Sequence, residues 1–320
     1  MALIGLTTKT YDAITMTPLT VYKCMKGIHM SNAIALATDG QSLAQMMGLS
    51  ENTGGSRSML PRFSQIHNPI KGEIEVNGKK IKADAVPAGA FKLARTDEAD
   101  IYSVNPEIRI FAQRQQWTRW DSDNNVMVKT VLSNTLNGDL KDNTGGFNAG
   151  RPSGYVEDFK SLPKSTQDLM RNTKRTKVMF GTVILKDAMD DQGNPVEDAS
   201  ITDAEIPFVM DIKSRGSIQA IDKAIKEVER KNSLPIQYKL ELGAEMHEMP
   251  NGSEYATMVL VPTSKVDLVE QDKEILDNFM DWISGMNTYI TTEHDKNNED
   301  SLGADALEAI NDIVDVEVAD

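Results

Sequence analysis

The residues "GEIEV", Asn77-Gly78 and "KKIKA" constrain the fold more than any other stretch of the chain. Two period-two segments flank a dipeptide that tolerates the positive φ angles of a type I′ turn, so Gly72 to Ala83 predicts a β-hairpin. The segments that follow have the same strand character: "GAFKLAR", "DIYSVN", "IRIFAQRQQW" and "NVMVKTVLS", then "KVMFGTVILKD", "EIPFVMDI", "IQYKLELGAEM" and "YATMVLVPT". The turn-like "DSDNN" joins the third and fourth. Helices interrupt the series at "SLPKSTQDLMRN" and at "SIQAIDKAIKEVERK", where Ile218, Ile221, Ile225 and Val228 share one face. A further amphipathic helix is predicted from Val269 to Ile290, with Ile275, Phe279, Trp282, Met286 and Tyr289 on its apolar side. The expected class is therefore mainly β within an α+β chain. An elaborated OB-fold-like barrel with inserted helices, a C-terminal amphipathic helix and a disordered acidic tail fits this order.

Four segments follow from composition. Residues 1–54 hold a short helical stretch, "SLAQMMGL", and the linker-like "SENTGGSRS"; 55–266 form the strand-rich core; 267–292 the amphipathic helix; 293–320 an acidic flexible tail. Inside the core, the Gly-, Asn- and Ser-rich "LKDNTGGFNAGRPSGYVEDF" reads as a long mobile loop, a kind that is uncommon unless it binds something or is disordered.

Charge divides along the chain. The net charge is −14, and residues 267–320 alone hold sixteen acids and two lysines, 2 − 16 = −14. The body before them is neutral, yet residues 55–186 hold 21 bases and 14 acids, a surplus of 21 − 14 = +7. A polyanion responds to the local field of the surface it meets, so an acidic total does not exclude one.

The common catalytic signatures are absent. "GGFNAGRP" places Arg151 and Pro152 where a P-loop needs Lys and Ser or Thr, and there is no G-x-S-x-G or H-E-x-x-H. His247 with Glu245 and Glu248 has no second histidine nearby in sequence, and Asp190 with Asp191 reads as a solvated turn. Cys24 is the single cysteine, which excludes intrachain disulfides and multi-cysteine zinc sites. The expectation is a protein that is not an enzyme and that uses no metal or cofactor. With no apolar run long enough to span a bilayer and no leader pattern, a cytoplasmic location without a membrane partner is expected.

The stretch "RIFAQRQQWTRWD" carries the functional argument. As a period-two strand it places Arg109, Phe111, Gln113, Gln115, Trp117 and Arg119 on one face, cations at each end and aromatics between. Single-stranded nucleic acid needs rings to stack unpaired bases and guanidiniums to meet phosphates. The competing reading puts Phe111 and Trp117 in the core with the arginines snorkelling at its edge. Further cations cluster in the same basic region: Arg114, then Arg171, Lys174, Arg175 and Lys177, then Lys79 and Lys80 beyond the hairpin turn. The glycine-rich loop adds Phe147, Arg151 and Tyr155.

The order "LPRFSQI … AVPAGAFKL … IRIFAQRQQWTRWD … LKDNTGGFNAGRPSGYVEDFKSLP … KRTKVMFGTVIL … LPIQYKLEL" resembles a group of single-stranded DNA-binding proteins of tailed phages, across about Leu60 to Pro262. The resemblance implies an OB-fold core that coats exposed strands in DNA replication and recombination, in the host cytoplasm if phage-encoded. It also implies an acidic C-terminal tail that recruits replication or recombination proteins, and the charge division of the chain adds the expectation that this tail competes with DNA for the groove at low salt. Two departures stand out: the chain ends "DIVDVEVAD" without a terminal aromatic, and no zinc-binding cluster is present. Two other readings remain open, a phage virion or assembly protein and a single-strand annealing protein that forms rings. A homo-oligomer is compatible with each.

Overall fold

The computed structural model describes residues 60–314 apart from 77, 78, 97 and 155, without the side chains of 74–81 and 299–314. The N-terminal segment 1–54, the Asn77-Gly78 turn, Tyr155 and the side chains of Lys79 and Lys80 lie outside the described residues. The description falls within one compact unit, Leu60–Asp320.

Strands form where the period-two segments predict them. In chain order they are β1 (Arg62–Gln65), β2 (Ile70–Val76), β3 (Lys79–Val86), β4 (Phe91–Ala94), β5 (Ile101–Ser103), β6 (Glu107–Asp121) and β7 (Val126–Lys129). After helix α1 (Lys164–Asn172) come β8 (Lys174–Ile184), the short α2 (Ala199–Thr202), β9 (Ile206–Ile212) and α3 (Arg215–Arg230). The chain closes with β10 (Tyr238–Glu248), β11 (Glu254–Lys265) and α4 (Glu270–Val314).

β2 and β3 pair with each other as a separate two-stranded ribbon, in the register Val76↔Lys79 that a two-residue turn demands. The other nine strands form one mixed sheet in the order β11-β10-β6-β8-β9-β1-β4-β5, with β7 alongside β6. Every pairing is antiparallel except β1 with β9. The sheet ends at β11 on one side and β5 on the other, so it is open and not the expected closed barrel.

Alternation through the sheet gives each face its own core. On one face Ile108, Ile110, Met179, Phe208, Met210 and Ile212 pack under α3, which contributes Ile218, Ile221, Ile225 and Val228, its predicted apolar stripe. On the other, Ala112, Val178, Phe180 and Val209 pack under α4 through Phe279 and Ile283, with Ile275 and Met286 beside them. Of the five residues expected on the apolar side of α4, Tyr289 is 46% exposed, and the buried face turns instead toward Ile283 and Ile290. At the edge, Ser217 of α3 accepts the N–H of Met258 in β11 at 3.2 Å, so helix and edge strand are joined directly.

The central β6–β8 pair contains a β-bulge: Ile110 opposes Gly181 and Ala112 opposes Phe180, leaving Phe111 without a partner. The strands approach so closely there that a Cβ on Gly181 would meet the Arg109 carbonyl oxygen at 2.2 Å and the Phe208 ring at 3.1 Å. Because the obstacle is backbone, Gly181→Ala should cost about 1–3 kcal/mol or more in denaturant unfolding. Gly243→Ala on β10, where nothing lies within 4 Å, serves as the control and should leave the midpoint nearly unchanged.

Candidate nucleic-acid interface

The bulge redistributes the residues of the arginine-aromatic strand. An unbroken strand would keep Arg109, Phe111, Trp117 and Arg119 on one face, but the extra residue shifts the alternation at Phe111. Arg109 and Phe111 consequently lie on the α4 side. Arg109 is 6% exposed; its Nη1 meets Asp272 of α4 at 2.9 Å and Glu205 at 3.0 Å, and its Nε donates to the Ile236 carbonyl. Phe111 stands edge-on to Phe279 at 5.7 Å with the Arg109 guanidinium over its own face. These two expected groove residues are core residues, as the competing reading had it for Phe111.

Arg114 is also on the α4 side, half-buried, donating to the Gln113 carbonyl and touching Met280 Sδ. Burial pushes the Asp272 carboxyl up, but the hydrogen bond from Arg109, the Val269 N–H and the Arg109 charge outweigh it and hold the group below its ordinary value.

The opposite face of the same strand is built differently. Past the bulge, Gln113, Gln115, Trp117 and Arg119 point to the α3 side, and register places Trp117 beside Arg175 and Gln115 beside Lys177 on β8. Trp117 is half-buried. The Arg151 guanidinium lies over its indole, 4.8 Å from the ring centroid. Arg175 is exposed and has no hydrogen bond or ion pair among the described residues. Lys177, by contrast, is buried against Gln113 and Asp222 of α3.

Arg119 is spent on structure. Its Nε donates to the Ala149 carbonyl at 3.0 Å, and its Nη atoms reach Asp121. Arg171 pairs with Asp168 and covers the Phe159 ring, and the exposed Lys174 donates to the Arg171 carbonyl.

The glycine-rich loop is not the mobile element that composition predicts. Asp142 is 1% exposed and acts as its hub: Oδ1 accepts from the Thr144 N–H, the Thr144 hydroxyl and the Gly146 N–H, and Oδ2 from the Ala149 N–H. Asn148 accepts the Leu140 N–H and donates to Ser153, and both Asn148 and Ala149 hold φ near +55°. A left-handed alanine persists only where its surroundings over-determine it. Phe147, expected as a contact, remains 47% exposed but packs edge-on against His294.

That contact corrects the expected tail boundary. α4 does not end before Glu293: His294 is 2% exposed and its Nδ1 donates to the Asp142 carbonyl, while Asp295 pairs with Lys141 and Asn297 donates to the Asn143 carbonyl. Asn287, two turns earlier, bonds both the N–H and the carbonyl of Leu132. The middle of α4 thus clasps the loop that carries Arg151.

One group of cations, on the outer side of the amphipathic helix α3, was not among the expected contacts. Lys223, Lys226 and Arg230 flank Asp222 on the outer side of α3, around a shallow depression of about 360 Å³. Charges on a helix's wet face are ordinarily just solvated, and only the Lys177–Asp222 contact shows that this ridge adjoins the basic end of β8. His247, read as lacking a metal partner, hydrogen-bonds Thr257 at 2.8 Å and stacks on Tyr255.

Comparison with protein-family models, with curated proteins and with solved structures finds no match for this chain. Among the described residues, no helix is long and apolar enough to cross a membrane.

Proposed function

We propose that this protein binds single-stranded DNA with little sequence preference, through the α3-side face that presents Trp117, Arg151 and Arg175. The observation that carries the reading is the half-buried indole with one guanidinium over it and a second, exposed one beside it on the neighbouring strand that has no ion pair among the described residues. Unpaired bases stack on such a ring without regard to identity, and the guanidiniums meet the phosphates between them. Lys223, Lys226 and Arg230 of α3 extend the cationic surface from the end of β8. Arg109 and Phe111 have no part in it, and Arg119 and Lys177 support it from beneath. The role is to coat exposed strands during phage DNA replication and recombination. Residues after Asn298, which hold eight acids and no base, compete for the cationic face and recruit partner proteins.

The test is titration of labelled oligo-dT and of duplex DNA of equal length with the full chain and with Trp117→Ala. The single strand should be preferred, and the substitution should weaken its binding by about 1–3 kcal/mol with the unfolding midpoint nearly unchanged. Equal affinity of the two proteins for oligo-dT would sink the reading. In the same titrations Arg175→Ala should flatten the slope of log K against log salt by about 0.7.

A further inference from the structure

One face of the Trp117 indole is covered by Arg151. The Arg151 guanidinium carbon sits 4.8 Å from the indole centroid. A base inserted between the two groups needs about 7 Å, twice the roughly 3.4 Å spacing of stacked bases. An unpaired base can therefore stack on the face that Arg151 covers only if the guanidinium moves away. We propose that Arg151 is a gate over the Trp117 stacking face, displaced by an entering base and then reused as a phosphate contact; the inference rests on the single-strand reading of that face.

Three features make a gate of this residue. First, its guanidinium has no hydrogen bond or ion pair among the described residues, so no carboxylate opposes its release from the indole. Second, its attachment point is fixed. The Arg151 N–H donates to the Asn148 carbonyl, and the Ala149 carbonyl accepts from Arg119. Asp142 and His294 of α4 hold that turn in place. The moving part is the side chain, which returns to the same place after each opening. Third, Arg175, the register neighbour of Trp117, is exposed and has no ion pair among the described residues, so a strand can be held at a phosphate while the gate is still shut. A base locked in a duplex cannot take the guanidinium's place, which gives the gate a bias toward unpaired strands.

A gate that is also a phosphate contact has an effect whose sign depends on salt. Removing it frees the ring but deletes one cation. Oligo-dT binding by the full chain should be measured across a salt series for the wild type, R151A, R151K, W117A and the double variant W117A/R151A. R151A should lower the magnitude of the salt slope by about 0.7, binding more weakly than the wild type at low salt. At high salt, where phosphate contacts are screened, it should bind about 2- to 5-fold more tightly, the fold-change that an exposed cation–π contact corresponds to. R151K keeps the charge but replaces the planar guanidinium with a more strongly hydrated ammonium, so it should retain the wild-type slope and bind more tightly throughout. In the W117A background the high-salt gain from R151A should vanish.

If W117A weakens binding but R151A is weaker than the wild type at every salt concentration, Arg151 is a phosphate contact alone and the gate is overturned while the single-strand reading stands. If W117A binds as the wild type does, the reading and the gate fall together.

Discussion

Arg109→Leu should destabilise the protein by about 3–5 kcal/mol and leave the salt dependence of DNA binding unchanged. The guanidinium is buried between β6 and α4, and its removal strands two carboxylates. Glu205 retains 25% of its side-chain exposure and a hydrogen bond from Thr182, so it can be rehydrated in place. Asp272, at 5%, cannot. Removing one partner of a buried pair has this cost because an uncompensated charge is left in a poorly solvated site, whereas removing both can approach neutrality. Arg109→Leu with Asp272→Leu should accordingly recover much of the loss in denaturant unfolding followed by tryptophan fluorescence.

The pair also sets an acid limit. Because the Asp272 carboxyl is held below its ordinary value in the folded chain, its contribution is fully present above about pH 4 and is lost as pH falls through the lowered value. Glu107 behaves alike: burial pushes it up, but hydrogen bonds and charge from Lys239 and Lys186 hold it down. An Arg109→Leu protein with wild-type stability and a flatter salt slope would return this residue to the DNA-binding face.

Two C-terminal truncations should separate fold from regulation. Deleting residues 299–320 removes eight acids and no base and leaves intact every described contact of α4 with the loop. It should leave the unfolding midpoint nearly unchanged and tighten oligo-dT binding at low salt, since a tethered acidic segment is a competitor at high effective concentration. The gain should shrink as salt rises and the attraction is screened.

Deleting from Glu293 also removes His294, Asp295 and Asn297. The Asp142 carbonyl then loses its donor and Phe147 its ring partner, and each buried polar group left unsatisfied costs about 1–3 kcal/mol. This longer truncation should lower stability and loosen the loop beneath Arg151. If the shorter truncation left DNA affinity unchanged at every ionic strength, the acidic segment would have no part in competition, and a role as solubility device or assembly signal would gain ground.

Much of the strand order was legible because hairpin and alternation signals are local. Asn77-Gly78 between two period-two segments dictates its own register, and Ile218, Ile221, Ile225 and Val228 dictate which side of α3 is buried. Whether the sheet closes was not legible, and the expected barrel is not formed, since closure depends on whether the edge strands meet and neither β5 nor β11 carries a local sign of that. The loop was misjudged for a related reason. Glycine, asparagine and serine predict mobility by composition, but Asp142 collects four donors and His294, far along the chain, seals it.

The candidate face shows where the division falls. Sequence alone determined that Arg109 to Asp121 is a strand rich in cations and rings, because alternation and residue type belong to the strand itself. Which of those rings meets solvent was decided only by the tertiary structure. The bulge beside Gly181 adds one extra residue at Phe111, and a side-chain period of two turns that single insertion into a change of face. Arg109 and Phe111 pass beneath α4, where Asp272 and Phe279 await them, while Trp117 comes out beside Arg175 and under Arg151. No property of the strand in isolation records which helix will cover it.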